Sequence, residues 1–346
     1  MTFRLHSLAA LFASLPLALG AVQAQEVTIK FSHFLAPNSN FHKNVAEPWC
    51  AAINKDSGGK LKCQLYPALQ LGGTPPQLAD QVKNGVADVA WTSPSYSTGR
   101  FPRTEALELP FSLPPGGLDG SKAMWEYYQK HGQEDFKDFH VLAIFSASNV
   151  VMSTASKPIL TVDGFKGVKL RSPSRFAALF LTALGGTPVN MPIAQVTEGI
   201  SKGVIDGAMA PWEVLPATKI DEVTKYHMEG AATQPGFTQT PMAILMNKAK
   251  YESLSPELKT VIDKNSGLKL VELTGNVWDT GNADARKKMS AQGNKVLVIK
   301  PEDYNGMKKA AASVEADWIK QAEGKGLDGK KLAAEVHAIG AKYMPK

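Results

Sequence analysis

QVKNGVADVA (81–90) and EGISKGVIDGA (198–208) decide how the fold is read. In each stretch a helical pattern runs into a glycine, and a strand pattern follows at once. Gly85 and Gly203 suit the left-handed position that ends a helix, where a residue with a Cβ is strained. Asp88 and Asp206 suit the turn into the strand. The shared G-V-x-D-x-A is either one common helix-to-strand connection used twice or the mark of two similar α/β lobes. The segments around it favour two lobes.

Upstream, VTIKF (27–31), KLKCQLYP (60–67) and ADVAW (87–91) read as strands. NVAEPWCAAINK (44–55) and PPQLADQVKNG (75–85) between them read as helices. This alternation predicts a mainly parallel sheet with helices on both faces. GVKLR (167–171) and the apolar helix pattern after it open a second series. VLAIFSASNVVMS (141–153) and QTPMAILMNK (239–248) are long β patterns suited to crossing from one lobe to the other. The helical stretch from Pro256 to Gln292 is long for one helix, with a break expected at Gly275 or Gly281. The expected division is a leader (1–24), lobe I (25–148 with 236–275), and lobe II with the C-terminal helices (149–235 with 276–346).

The 346 residues are 44% apolar and 20% charged, a globular composition large enough for two domains. The net charge of +6 is dispersed, which argues against a nucleic-acid partner. LAALFASLPLALGAV (8–22) is too short for a membrane span and ends at a small-x-small site, Val22-Gln23-Ala24. A secretory signal peptide cut after Ala24 is expected, and hence an exported chain. Cys50 and Cys63, on a helix and its following strand, form either a disulfide or two buried thiols. Export favours the disulfide, worth about 3 kcal/mol in the chain-entropy model.

Gly324-Lys325-Gly326-Leu327-Asp328-Gly329 matches G-x-G-x-x-G but lies between two helices, not after a strand, so it reads as a turn. There is no phosphate loop, zinc-protease helix or nucleophile elbow, and the seven histidines are scattered. No cofactor or metal is expected, and no compact nucleophile–base pattern argues for an enzyme.

Arg171 ends a predicted strand just before a helix start at Ser174. A buried arginine is costly unless paired, and its fork donates two parallel hydrogen bonds to a carboxylate. The helix N-terminus aims its dipole the same way. That carboxylate belongs either to a ligand or to the protein, with Glu213 and Asp206 the candidates. Phe34, Trp91, Trp212 and Phe237 fall near strand ends, where open α/β sheets bind ligands, although each could equally be core.

Together, LYPALQLGG (65–73), LADQVKNGVADVAW (78–91), ELPF (108–111), GFKGVKLRSPS (164–174), LGGTPVNMP (184–192) and GVIDGAMAPWEV (203–214) resemble one family. It is the DctP family, the extracytoplasmic solute-binding proteins of tripartite ATP-independent periplasmic (TRAP) transporters. The resemblance implies an α/β, two-lobe periplasmic-binding-protein-like fold, with a hinge of crossing strands and a long helix spanning both lobes. It also implies closure on a ligand, and an Arg171 that clamps the ligand carboxylate. The implied partners are a small organic acid and the TRAP membrane permease, with the chain itself a monomer.

Where the family's sialic-acid branch carries polar groups, this chain has Phe34, Ser93, Val151 and Ala210 by pattern. Such a pocket should reject polyhydroxylated sugars, whose hydroxyls would be buried unpaired. The expected ligand is therefore an apolar, aromatic monocarboxylate, such as a 2-hydroxy or 2-oxo acid of the mandelate or benzoylformate type. Phe34 and Trp91 are expected on its ring. Thr92, Ser93 and Asn149 are expected on a hydroxyl or keto oxygen, Glu213 behind Arg171, and Ala210, Trp212 and Phe237 around them. The alternatives are a receptor for a small aliphatic 2-oxo or 2-hydroxy acid or a C4 dicarboxylate, a sensory binding protein, and a secreted enzyme on the same scaffold.

Overall fold

Each G-V-x-D-x-A aspartate makes the same pair of bonds. Asp88 Oδ2 accepts from the Lys30 amide at 2.8 Å, and the Asp88 amide donates to the Lys30 carbonyl at 2.9 Å. Asp206 Oδ2 accepts from the Lys169 amide at 2.7 Å, and the Asp206 amide donates to the Lys169 carbonyl at 2.8 Å. The side chain thus pins the start of one strand to the entry of its neighbour, and it does so once on each side of the molecule. Gly85 and Gly203 hold φ of +73° and +69° beside these turns.

The computed structural model describes residues 26–345, apart from the side chain of Asn149. The expected leader and its cleavage after Ala24 lie outside the described residues. Ten strands are described: β1 (Val27–Ser32), β2 (Leu61–Tyr66), β3 (Val89–Thr92), β4 (Phe139–Thr154), β5 (Lys169–Ser172), β6 (Thr187–Asn190), β7 (Gly207–Pro211), β8 (Tyr226–Glu229), β9 (Gln239–Asn247) and β10 (Lys295–Val298). They run β2-β1-β3-β9-β4-β7-β5-β6, with β8 on β4 and β10 on β8. Pairing is parallel at β2-β1-β3, at β7-β5-β6 and at β8-β10. It is antiparallel where β9 and β4 enter. The expected parallel sheets are therefore two, joined by antiparallel strands.

β4 is the joint. From Phe139 to Asn149 it pairs with β9, and from Val150 to Thr154 with β7. The register slips between Ser146 and Asn149, where Ser148 holds φ +68°. β9 does not cross. All nine of its residues are buried between β3 and β4 in the first sheet, so QTPMAILMNK is a central strand of one side only.

The helical region from Pro256 breaks at Gly267 (φ +62°), not at Gly275 or Gly281. Helix Pro256–Lys264 ends there, and one helix, Leu268–Ala291, continues past both glycines. Those glycines serve packing instead. A Cβ on Gly275 would meet the Leu118 Cα at 2.6 Å. The long helix reaches both sheets: Trp278 packs on Phe41 and Phe145 on the first side, while Lys288 pairs with Asp221 on the second. Helix Gly329–Tyr343 returns to the first side, with Val336 and Ile339 in one apolar cluster with Leu107 and Tyr127. Cys50 and Cys63 are bonded, with Cα atoms 5.5 Å apart.

Candidate functional site

β5 carries Arg171 between β6 and β7. The side chain is 2% exposed. Its Nε donates to the Met191 carbonyl at 3.0 Å and its Nη1 to the Met209 carbonyl at 2.8 Å. Two carbonyls from separate elements thus fix the plane of the fork, while five N–H donors are available in all. Burial pulls the guanidinium down to about 10, with Tyr96 beside it pulling the other way, so it stays cationic at neutral pH. Among the described residues no carboxylate pairs with it. Asp206 is engaged at the Lys169 amide, and only burial shifts Glu213.

Arg171 opens on a cavity that is in part continuous with solvent. Phe34, Leu35, Trp91 and Tyr96 line it from the first side. Pro173, Ile193, Pro211, Glu213 and Val214 line it from the second, and Trp278 of the long helix lies between. Phe34 stacks on Trp91 at 4.6 Å, and Phe41 covers the other face at 3.8 Å. Both faces of Trp91 are therefore occupied, and Phe34 and Tyr96, edge-on at 5.9 Å, form the free aromatic surface. Glu213 is 8% exposed, and burial pushes its carboxyl up to about 7. A cation fixed at one end of an aromatic slot can take a flat anion whose body is apolar.

Residues 31–321 match the family described as bacterial extracellular solute-binding protein, family 7. The chain belongs to the DctP family. A marine metagenome TRAP solute binding protein specific for aromatic acid ligands, in complex with 3-hydroxybenzoate, is 41% identical. The TM-score is 0.90, over 93% of this chain and 100% of that one. A TRAP solute binding protein from Rhodoferax ferrireducens with copurified benzoate is 40% identical at TM-score 0.88, over 92% and 98% of the chains. One from Bordetella bronchiseptica with bound mandelate enantiomers is 28% identical at 0.83, over 91% and 99%. DctP-family proteins are non-enzymatic substrate-binding components of TRAP transporters, and they work with membrane permease subunits. The family is periplasmic, and among the described residues no helix is long and apolar enough to cross a membrane. No described group of His, Cys, Asp or Glu is placed to hold a metal.

In this DctP-family chain, Arg171, Phe34, Trp91 and Glu213 come together around the cavity. The other expected site residues whose side chains are described do not line it. Trp212 turns away and donates from Nε1 to Glu229 Oε2 at 2.9 Å. Phe237 packs with Phe111, Phe180 and Tyr304. Ala210 and Val151 face each other in the β4–β7 ladder. Ser93 donates to the Pro241 carbonyl at 2.9 Å, and Thr92 to the Pro75 carbonyl at 3.3 Å. Asn149 sits opposite Gln239 in the ladder, its side chain outside the described residues. Glu213 does not order Arg171; the carbonyls do. The helix start behind Arg171 does not open on the cavity either: Ser174 Oγ takes the Ala177 amide, and Ser174 and Arg175 line a separate pocket. Sequence reasoning missed Tyr96, Ile193, Thr240, Met242 and Trp278.

Proposed function

We propose that this chain captures an aromatic monocarboxylate in the periplasm and delivers it to a TRAP permease. Arg171 clamps the carboxylate, and Phe34, Tyr96 and Trp278 enclose the ring. The reading is carried by one observation: a buried arginine without a carboxylate partner, aimed into an aromatic-walled cavity. An unpaired buried cation costs several kcal/mol, and a bound carboxylate removes that cost with a bidentate pair. The neighbours bound to benzoate, 3-hydroxybenzoate and mandelate support the ligand class. The signal peptide leaves at Ala24, and the exported chain acts as a monomer.

Thermal-shift screening against benzoate, mandelate, benzoylformate, lactate and C4 dicarboxylates tests the proposal. Ligand at ~100 times its dissociation constant adds about 2.7 kcal/mol of stability. The shift should appear with the aromatic acids and vanish in Arg171→Ala. Tighter binding of a C4 dicarboxylate than of any aromatic monocarboxylate would overturn the ligand class. Aromatic-acid binding that survives Arg171→Ala would overturn the clamp.

A further inference from the structure

Glu213 stands on the same cavity as Arg171, and its Oε2 is buried with no hydrogen-bond partner among the described residues. Two other cavity-lining residues carry buried polar atoms in the same state, Trp91 Nε1 and Trp278 Nε1. A protein that needed Glu213 only for its fold would have given the carboxyl a donor, because each unmet buried group costs about 1–3 kcal/mol. The residue is nevertheless firmly placed. Its amide donates to Asn282 Oδ1 at 3.0 Å, and its stem lies against Gly281 of the long helix, where an added Cβ would stand 3.1 Å from Glu213 Cβ. A larger residue there would press on the Glu213 stem and on the Asn40 amide.

One small group answers this set of atoms. A hydroxyl donates once and accepts as well, so it can give its proton to the Glu213 oxygen and accept from an indole N–H. The chain path says where on the ligand it belongs. Arg171 is bonded to the Met209 carbonyl on β7, and β7 runs on to Pro211 before Glu213. From Met209 to Pro211 the strand advances roughly 7 Å, so the chain carries Glu213 past the carbonyl that holds the guanidinium and on to the wall of the same cavity. A hydroxyl on the carbon next to the carboxylate would remain near Arg171, whereas one on the ring reaches further along the slot.

We propose that Glu213 is a specificity-determining residue that accepts a hydrogen bond from a hydroxyl on the ligand's aromatic ring, so that the substrates are ring-hydroxylated aromatic monocarboxylates. This rests on the reading of the cavity as an aromatic-acid site. A ligand lacking the hydroxyl leaves the buried carboxyl unmet, and the site discriminates against it for that reason.

Titration calorimetry on the mature chain, with benzoate, 3-hydroxybenzoate, 4-hydroxybenzoate and mandelate, tests the assignment. At least one ring-hydroxylated acid should bind ~10-fold or more tighter than benzoate, a ratio expected of one well-placed buried hydrogen bond. In Glu213→Leu that ratio should fall to near one, and Glu213→Gln, which keeps an acceptor oxygen, should retain part of it. Benzoate binding that needs Arg171, with no preference for either hydroxybenzoate, overturns this inference and leaves the aromatic-acid reading standing. A preference that persists in Glu213→Leu overturns it equally. Failure of all four acids to bind the parent chain overturns both.

Discussion

Glu108→Gln should make the protein's stability less dependent on pH, and the size of the effect follows from where Glu108 sits. The residue is 2% exposed, on the 3₁₀ turn Thr104–Glu108 of the first side. Burial pushes its carboxyl up to about 7, against the opposing pull of the Ser174 and Ser95 hydroxyls. Ser95 Oγ donates to Oε1 at 2.7 Å. In the unfolded chain the group ionises near its ordinary 4.5. Between about 4.5 and 7 the unfolded state has released a proton that the folded state still holds, so stability falls as pH rises through that window and then levels off. A shift of this size is worth about 3 kcal/mol at roughly 1.4 kcal/mol per unit. Glutamine keeps the shape and cannot ionise. Urea unfolding of parent and variant at pH 4, 5, 6, 7 and 8 reads the difference directly. The variant should gain on the parent by up to about 3 kcal/mol from pH 4 to pH 8. A stability difference that is flat across the series would refute the argument, because it would mean that Glu108 is ionised in the fold as readily as outside it.

Gly275→Ala should destabilise the fold by more than the ~1–3 kcal/mol usual for overpacking, since its Cβ would meet backbone, Leu118 Cα at 2.6 Å and the Gly117 carbonyl at 3.0 Å. A urea midpoint equal to the parent's would show that the long helix and helix Gly117–Tyr127 are free to part. Replacing Cys50 and Cys63 together by alanine should cost about 3 kcal/mol in the same assay, the value for a loop of this length.

Much of this fold is legible from local chemistry. The glycine that ends a helix and the aspartate that opens a strand act within a few residues, so the repeat could be seen without knowing what surrounds it. Arg171 was legible for a similar reason: a full charge on the inward end of an interior strand has few explanations. Trp212 and Glu213 show the limit. They are neighbours after one strand, yet one points to Glu229 and the other to the cavity. Position at a strand end marks a region, while the turn that follows decides which side a residue faces. Trp278 was invisible because it comes from the middle of a helix 187 residues from Trp91, and only the long helix crossing both sheets brings the two rings to 6.0 Å. β9 was misread for want of an edge: a strand with an apolar middle reads the same whether it bridges two sheets or fills the centre of one.

Ser148 interrupts β4 where the strand leaves one sheet for the other. Its amide donates to Ser146 Oγ at 2.8 Å, and its Oγ accepts from Asn282 Nδ2 of the long helix at 2.7 Å. Asn282 also holds the Glu213 amide. The bend of the strand, the shaft of the helix and the far wall of the cavity thus meet in one side chain. On the function proposed above, a ligand that settles against Glu213 would therefore stand one side chain away from the bend of β4.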